Sequence, residues 1–194
     1  MDESPIAILE RGLGAVGDLL AAERVEIGIV VVGGTALNLL GIVQRTTTDV
    51  DVLAILQDQT GPGGVTLAPP DPLPEPLRRA IARVARDFQL PEDWMNTVVG
   101  LQWQTGLPPG LQRRLRWRRY GGLRVGIVAR YDLIFLKLYA AADSGGPSSV
   151  HFQDLLALRP TERELQAAAA WVREQDPTPV FSTIVEQVMT HARN

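Results

Sequence analysis

The chain predicts an α+β fold: a small mixed β-sheet core with flanking helices, followed by a helical C-terminal part. Three observations carry this. Residues 27–32 (IGIVVV), 49–56 (DVDVLAIL) and 122–129 (GLRVGIVA) are short runs rich in β-branched and apolar residues, the pattern of buried strands. Helical periodicity fills much of the chain between them. After residue 130 only helical patterns follow, so strands and helices are segregated instead of alternating in a regular βαβ series. The reading divides the chain into a sheet-containing core over residues 1–130 and a helical subdomain over 131–194 packed on that core.

The elements follow in order. Residues 5–22 (PIAILERGLGAVGDLLAA) read as an amphipathic helix weakened by internal glycines. The strand 27–32 breaks at Gly33-Gly34, and TALNLLGIV (35–43) reads as a short apolar helix. The strand 49–56 comes next. Residues 57–76 (QDQTGPGGVTLAPPDPLPEP) are rich in glycine and proline and read as a mobile loop. In 76–90, Leu77, Ile81, Val84 and Phe88 fall on one helical face. Residues 97–106 follow neither period. The strand 122–129 leads into a helix at 131–143, and a Gly/Ser break at 144–149 precedes a short helix at 151–158. Thr161 and Glu164 have the spacing of a capping box for a helix running to about residue 175. Pro177 and Pro179 stop it, and a last helix occupies about 180–191.

Composition narrows the chemistry. The 194 residues are 45% hydrophobic and 21% charged, ordinary for a globular protein. There is no cysteine, so disulfides, thiolate nucleophiles and cysteine zinc sites are excluded. His151 and His191 are the only histidines, so a metal would be held mainly by carboxylates, which favours Mg²⁺ over zinc. No apolar run approaches membrane-spanning length and no basic-then-apolar leader opens the chain. The expected location is the cytoplasm, with no membrane partner. The net charge of −3 predicts no global attraction to nucleic acid. Lys137 is the only lysine beside 18 arginines.

Residues 31–52 (VVGGTALNLLGIVQRTTTDVDV) concentrate the functional signal. Alternate residues of a strand share a face, so Asp49 and Asp51 project together while Val50 and Val52 face the core. At a Cα separation of about 6–7 Å, two bare carboxylates repel by roughly 2–3 kcal/mol at an effective dielectric of about 20. A divalent cation removes the conflict and clamps the phosphates of a nucleotide. Gly33 and Gly34 allow backbone to approach a phosphate, and Thr35 adds a hydroxyl. Arg45 and Thr48 lie between, placed to contact phosphate or to brace Asp49. A Gly-Gly pair alone is more often a tight turn, and a D-x-D strand alone is often a solvated face. No G-x-G-x-x-G is present, which argues against a dinucleotide-binding unit.

At these residues the chain resembles the nucleotidyltransferase superfamily that includes DNA polymerase beta. That pattern is an apolar strand, Gly-Gly or Gly-Ser, a short helix, then D-x-[DE] on the next strand. The spelling GGTALNLLG…R-x-T-x-D-V-D-V is closer to the AbiEii-like branch, found in bacterial toxin–antitoxin and phage-defence systems. Leu90-Pro91 with Trp94-Met95-Asn96 is similar to an L-P-x-x-W-[LM]-N element of that branch. Asp132-Leu133 with Lys137 resembles a D-L-x-x-x-K element, and Asp154-Leu155-Leu156 a late D-L-L. The likeness covers residues 27–158 in pieces, and only the first unit is specific.

The resemblance implies a metal-dependent transfer of a nucleotidyl group from an NTP to an acceptor hydroxyl. Asp49 and Asp51 would bind Mg²⁺, and Gly33, Gly34 and Thr35 would hold the triphosphate. Lys137 would contact phosphate as a compact charge on a long stem, with Asp154 supporting the late part of the site. For Lys137 the bland alternative is a snorkelling surface lysine. A tRNA is one acceptor the resemblance admits, and a cognate antitoxin one partner. Two departures stand out. Superfamily members often carry a third carboxylate on a later strand, and RVGIVA (124–129) has none. Glu92, Asp93 and Asp132 are the available substitutes. The segment ADSGGPSSVHFQD also lacks the basic residue that relatives often place there, His151 aside. Both departures admit an alternative, a catalytically degenerate module that binds a nucleotide or partner without turnover.

RRLRWRR (113–119) is locally very basic. Read as a strand, Arg114, Arg116 and Arg118 share one face and Leu115 and Trp117 the other. Arg113–Arg119 would then follow an RNA backbone, with Tyr120 or Trp103 available for stacking. The competing reading is a solvated edge with Trp117 plugged into the core and the arginines paired to the protein's own carboxylates.

Overall fold

The computed structural model describes residues 5–44, 47, 49–61 and 64–193. The fold is α+β, built on a mixed sheet of six strands. Helix α1 (Pro5–Ala22) comes first, then β1 (Ile27–Val31), α2 (Gly33–Leu39), β2 (Val50–Gly61), β3 (Gly64–Ala68), α3 (Glu75–Phe88) and the two-residue β4 (Met95–Asn96). Strands β5 (Arg116–Tyr120) and β6 (Leu123–Ile127) complete the sheet. The helices α4 (Arg130–Asp143), α5 (Val150–Ala157), α6 (Glu162–Gln175) and α7 (Pro179–Ala192) end the chain.

The sheet order is β3-β2-β1-β6-β5, with β4 also paired to β2. β1 is central. All five of its residues are buried, as a continuous apolar run requires when both neighbouring positions are filled. It pairs parallel with β6, in register Ile27 to Leu123, and antiparallel with β2. β4 pairs parallel with the start of β2, Val50 to Met95 and Asp51 to Asn96. Helix α3 packs its Leu77, Ile81 and Val84 face inward against α1. Phe88, expected on that face, ends the helix only partly buried.

By its contacts the chain forms two units. The first comprises Met1–Gln104 and Gly110–Val128, and the second Thr105–Pro109 and Ala129–Asn194. The five-residue segment Thr105–Pro109 belongs with the C-terminal helices, which its place in the sequence did not indicate. In the second unit, α4 packs on α5, α6 and α7, with Leu133, Leu138, Leu155, Ala168, Val172 and Val185 at its centre. The capping box of α6 is present: the Thr161 hydroxyl accepts the Glu164 N–H, and the Glu164 carboxylate accepts the Thr161 N–H. Arg130 donates to the same carboxylate at 2.7 Å. That bond, opposed by partial burial and helped by Thr161, holds the Glu164 carboxyl down at about 2.

One expectation is corrected. Residues 57–61 and 64–68 are strand and not loop: β2 continues to Gly61 and β3 runs antiparallel to it, pairing Leu56 with Leu67 and Gly61 with Gly64. The runs QDQT and VTLA both lie in strands, and residues 69–74 are irregular before α3.

Candidate functional site

The glycine elbow and the second aspartate of the pair meet in space. β1 delivers the chain to Val32, whose N–H is held by the Asp51 carbonyl at 3.1 Å. Gly33 then takes φ +66°, a left-handed conformation that costs a side-chain-bearing residue but not glycine. Its bare Cα faces the Asp51 carboxylate. A methyl group at Gly33 would lie 2.1 Å from Oδ2 of Asp51 and collide with it. The space a Cβ would fill is therefore occupied by a carboxylate oxygen.

Thr35 braces the first aspartate. Its hydroxyl is buried and donates to the backbone carbonyl of Asp49 at 2.6 Å, tying α2 to the start of β2. The sequence reading aims this hydroxyl at phosphate, whereas here its proton is committed to positioning Asp49. The Asp49 side chain is exposed and accepts from the Thr47 hydroxyl at 3.3 Å. Gly34 is buried within the first turn of α2. Arg45 and Thr48 lie outside the described residues.

A residue without an assigned role in the sequence reading joins the site. Asn96, on β4, pairs in register with Asp51. Its Nδ2 donates to Asp51 Oδ1 at 3.4 Å, and its Oδ1 accepts the Val98 N–H at 3.1 Å. An amide thus stands beside the aspartate on the neighbouring strand. The L-P-x-x-W-M-N element was visible, but a pairing of two residues 45 apart has no local signature. A second missed feature lies two residues on. Val31 pairs with Val52 and Val30 with Ala54, so Leu53 is an extra residue in β2. Bulges of this kind redirect nearby side chains. The Leu53 carbonyl accepts the indole N–H of Trp103 at 2.7 Å.

Asp51 supplies an oxygen donor on the bare Cα of Gly33, and Asp49, two residues before it, supplies an exposed one. Mg²⁺ is commonly held by one or two carboxylates, with phosphate oxygens and water completing its shell. The donor set fits that ion. Among the described residues no group of three His, Cys, Asp or Glu side chains is arranged to hold a metal. Of the substitutes for a third carboxylate, Glu92 and Asp93 are exposed in a turn, and Asp132 is fully buried in the second unit.

Lys137 and Asp154 form their own arrangement within the second unit. Nζ of Lys137 is 2.7 Å from Oδ2 of Asp154, with the side chains 8% and 3% exposed. Lys137 is thus no snorkelling surface residue. α4 and α5 bring the pair together from positions 17 apart, and Asp132 is buried on the same helix as Lys137.

The basic stretch is an edge strand. Arg118 pairs with Glu10 at 2.6 Å and donates to the Leu39 carbonyl. Arg119 pairs with Glu26. Trp117 is half-buried over Gly126, with the Arg124 guanidinium 4.9 Å from its ring centre. Arg114 precedes the strand instead of extending an alternating ladder, and Arg116 is exposed. Two arginines of the stretch are therefore engaged by the protein's own carboxylates. No described helix is long and apolar enough to cross a membrane. No protein-family model, curated protein or solved structure matches the chain.

Proposed function

We propose that the chain is a cytoplasmic Mg²⁺-dependent nucleotidyltransferase whose phosphate-binding unit lies in the first unit of the fold. The observation that supports this best is the placement of the Asp51 carboxylate against the bare Cα of Gly33. This seats a carboxylate oxygen in the space a Gly33 side chain would fill, two residues after an exposed Asp49. The resemblance of residues 31–52 to the polymerase-beta-like pattern points to the same chemistry.

In this reading the acceptor hydroxyl oxygen forms a bond to the α-phosphorus of an NTP. The bond to the bridging oxygen breaks, pyrophosphate leaves, and the hydroxyl proton passes to solvent. Asp49 and Asp51 would hold Mg²⁺, which when bound neutralises triphosphate charge and favours the deprotonated acceptor. By the resemblance Gly33 and Gly34 would hold the triphosphate, next to the Asp51 carboxylate already seated on the Gly33 Cα. Thr35 holds Asp49 in place through the Asp49 carbonyl. Positioning and electrostatics supply the rate enhancement. The proposal rests on the first unit alone. Lys137 and Asp154 enter it only through the resemblance, as do a tRNA acceptor and a cognate antitoxin.

A specific observation favours a second reading. The side chain that β4 sets beside Asp51 is an amide, Asn96, and no third acidic ligand is gathered among the described residues. A module that binds a nucleotide without turnover has this composition. Incubation with α-labelled NTPs, Mg²⁺ and total RNA separates the two. Label transfer that disappears in Asp51→Ala supports the enzyme. Nucleotide binding without transfer to any acceptor supports the module, and absence of both removes the nucleotide reading.

A further inference from the structure

A groove of about 540 Å³ lies in the first unit, its lining including Thr97, the residue that follows Asn96. Its walls include Pro70, Val98, Leu101 and Trp103, with Asp71 and Gln104 among its polar lining. Among the described residues of the first unit, Val98 and Leu101 are the exposed large hydrophobic side chains, at 72% and 64%. We propose that this groove is the nucleobase subsite of the nucleotide whose phosphates bind at Asp49 and Asp51. The inference rests on the nucleotide-binding reading above.

Three features carry it. The first is connection. Asn96 donates to Asp51 through Nδ2 and accepts from the Val98 backbone through Oδ1, so one amide joins the carboxylate to the groove wall. Val98 is two residues from Asn96, a reach of at most about 7 Å, which is the scale of a sugar between phosphate and base.

The second feature is a wall held in place before any ligand arrives. The Trp103 indole N–H is fixed on the bulged Leu53 carbonyl, two residues from Asp51 on the same strand. The 3-10 turn Val98–Gln104 comes close to Pro70 because Gly100 has no side chain. A Cβ at Gly100 would lie 2.5 Å from Cγ of Pro70. A rigid, partly apolar slot binds a flat ligand without first ordering its own side chains.

The third feature is charge. No lining residue is basic, and Asp71 is the sole charged one. Such a slot repels a triphosphate or an RNA backbone. It accepts an uncharged base, whose π-face every nucleotide carries.

Equilibrium binding with Mg²⁺, comparing the four NTPs with inorganic tripolyphosphate, tests the assignment. The proteins are the wild type, the double variant Val98→Ser with Leu101→Ser, and Asp51→Ala. Both serine sites are exposed, and unchanged circular dichroism and melting confirm the fold. The double variant is expected to bind NTPs about tenfold more weakly while keeping its affinity for tripolyphosphate. Asp51→Ala should lose both ligands. If Asp51→Ala loses both but the serine variant binds NTPs like the wild type, the groove is not the base subsite and the phosphate reading stands. Equal weakening of both ligands in the serine variant overturns the assignment as well. If the wild type binds neither ligand, the nucleotide reading and this inference fall together.

Discussion

Asp51 in the first unit and Asp154 in the second share a residue type and live in opposite surroundings. Asp51 is half-exposed, lies on a bare glycine, and meets Asn96 at a long 3.4 Å. Asp154 is 3% exposed and closed against Lys137 at 2.7 Å. A half-exposed carboxylate keeps part of its hydration and bears little desolvation cost. A carboxylate sealed with its counter-ion gains from that partner and loses heavily without it. Two aspartates of short sequence motifs thus separate by burial, the first left within reach of solvent and the second sealed with its counter-ion.

Removing Lys137 is the strongest way to break this contrast. Lys137→Ala leaves Asp154 buried without its cation and is expected to cost about 3–5 kcal/mol in urea unfolding. The double variant Lys137→Met with Asp154→Leu should recover most of that loss. Asp51→Asn, by contrast, should stay within about 0.5 kcal/mol of wild type, as half-exposed substitutions usually do. A large loss in Asp51→Asn would place both aspartates in the same structural class.

Gly33→Ala sharpens the first half of the comparison. The new methyl meets Oδ2 of Asp51 and must also adopt φ +66°. The expected cost is about 2 kcal/mol, part strain and part collision. A double-mutant cycle with Asp51→Gly separates them, because only the collision disappears when the carboxylate is gone. Additive losses would show that the carboxylate does not occupy the glycine cradle.

The smallest effect belongs to a second ion pair in the helical unit. The Glu164 carboxyl is held at about 2, below its ordinary 4.5, chiefly by Arg130. A depressed folded value means stability that is full above the unfolded pKa and lost as pH falls through the folded one. The relevant window therefore runs from about pH 4.5 down to about pH 2. Arg130 is 39% exposed, so solvent screening reduces the contribution. It amounts to about 1 kcal/mol after that discount. Melting of wild type and Glu164→Gln should differ at pH 6 and converge near pH 2. A constant difference across that range would contradict the linkage.

Most elements are legible in the sequence because their causes are local. IGIVVV reads as a buried strand from its own composition, and the Thr161–Glu164 cap closes within three residues. The Gly33-Gly34 elbow and the two aspartates are legible for the same reason. What escapes is long-range or masked by punctuation. The Gly61–Gly64 region reads as loop from its glycines and proline, and the polar run QDQT before it gives no strand signal, although it pairs with β3. Asn96 gains its place through a parallel pairing with Asp51, and Trp103 through a hydrogen bond to the Leu53 carbonyl 50 residues away. That Thr35 donates to a backbone carbonyl and not toward solvent depends on where β2 begins, which residue types alone do not specify.

The central claim is that Asp51 and the glycine elbow together bind a magnesium nucleotide. Thermal melting in the presence of Mg²⁺ and NTP tests it most directly, since a ligand specific to the folded form must raise Tm. At a nucleotide concentration 100-fold over Kd the wild type should gain about 2.7 kcal/mol, or about 5 °C or more for a chain of this size. Asp51→Ala should gain less than about 1 °C under the same conditions. A wild type that does not respond, or an Asp51→Ala variant that responds equally, would contradict the account.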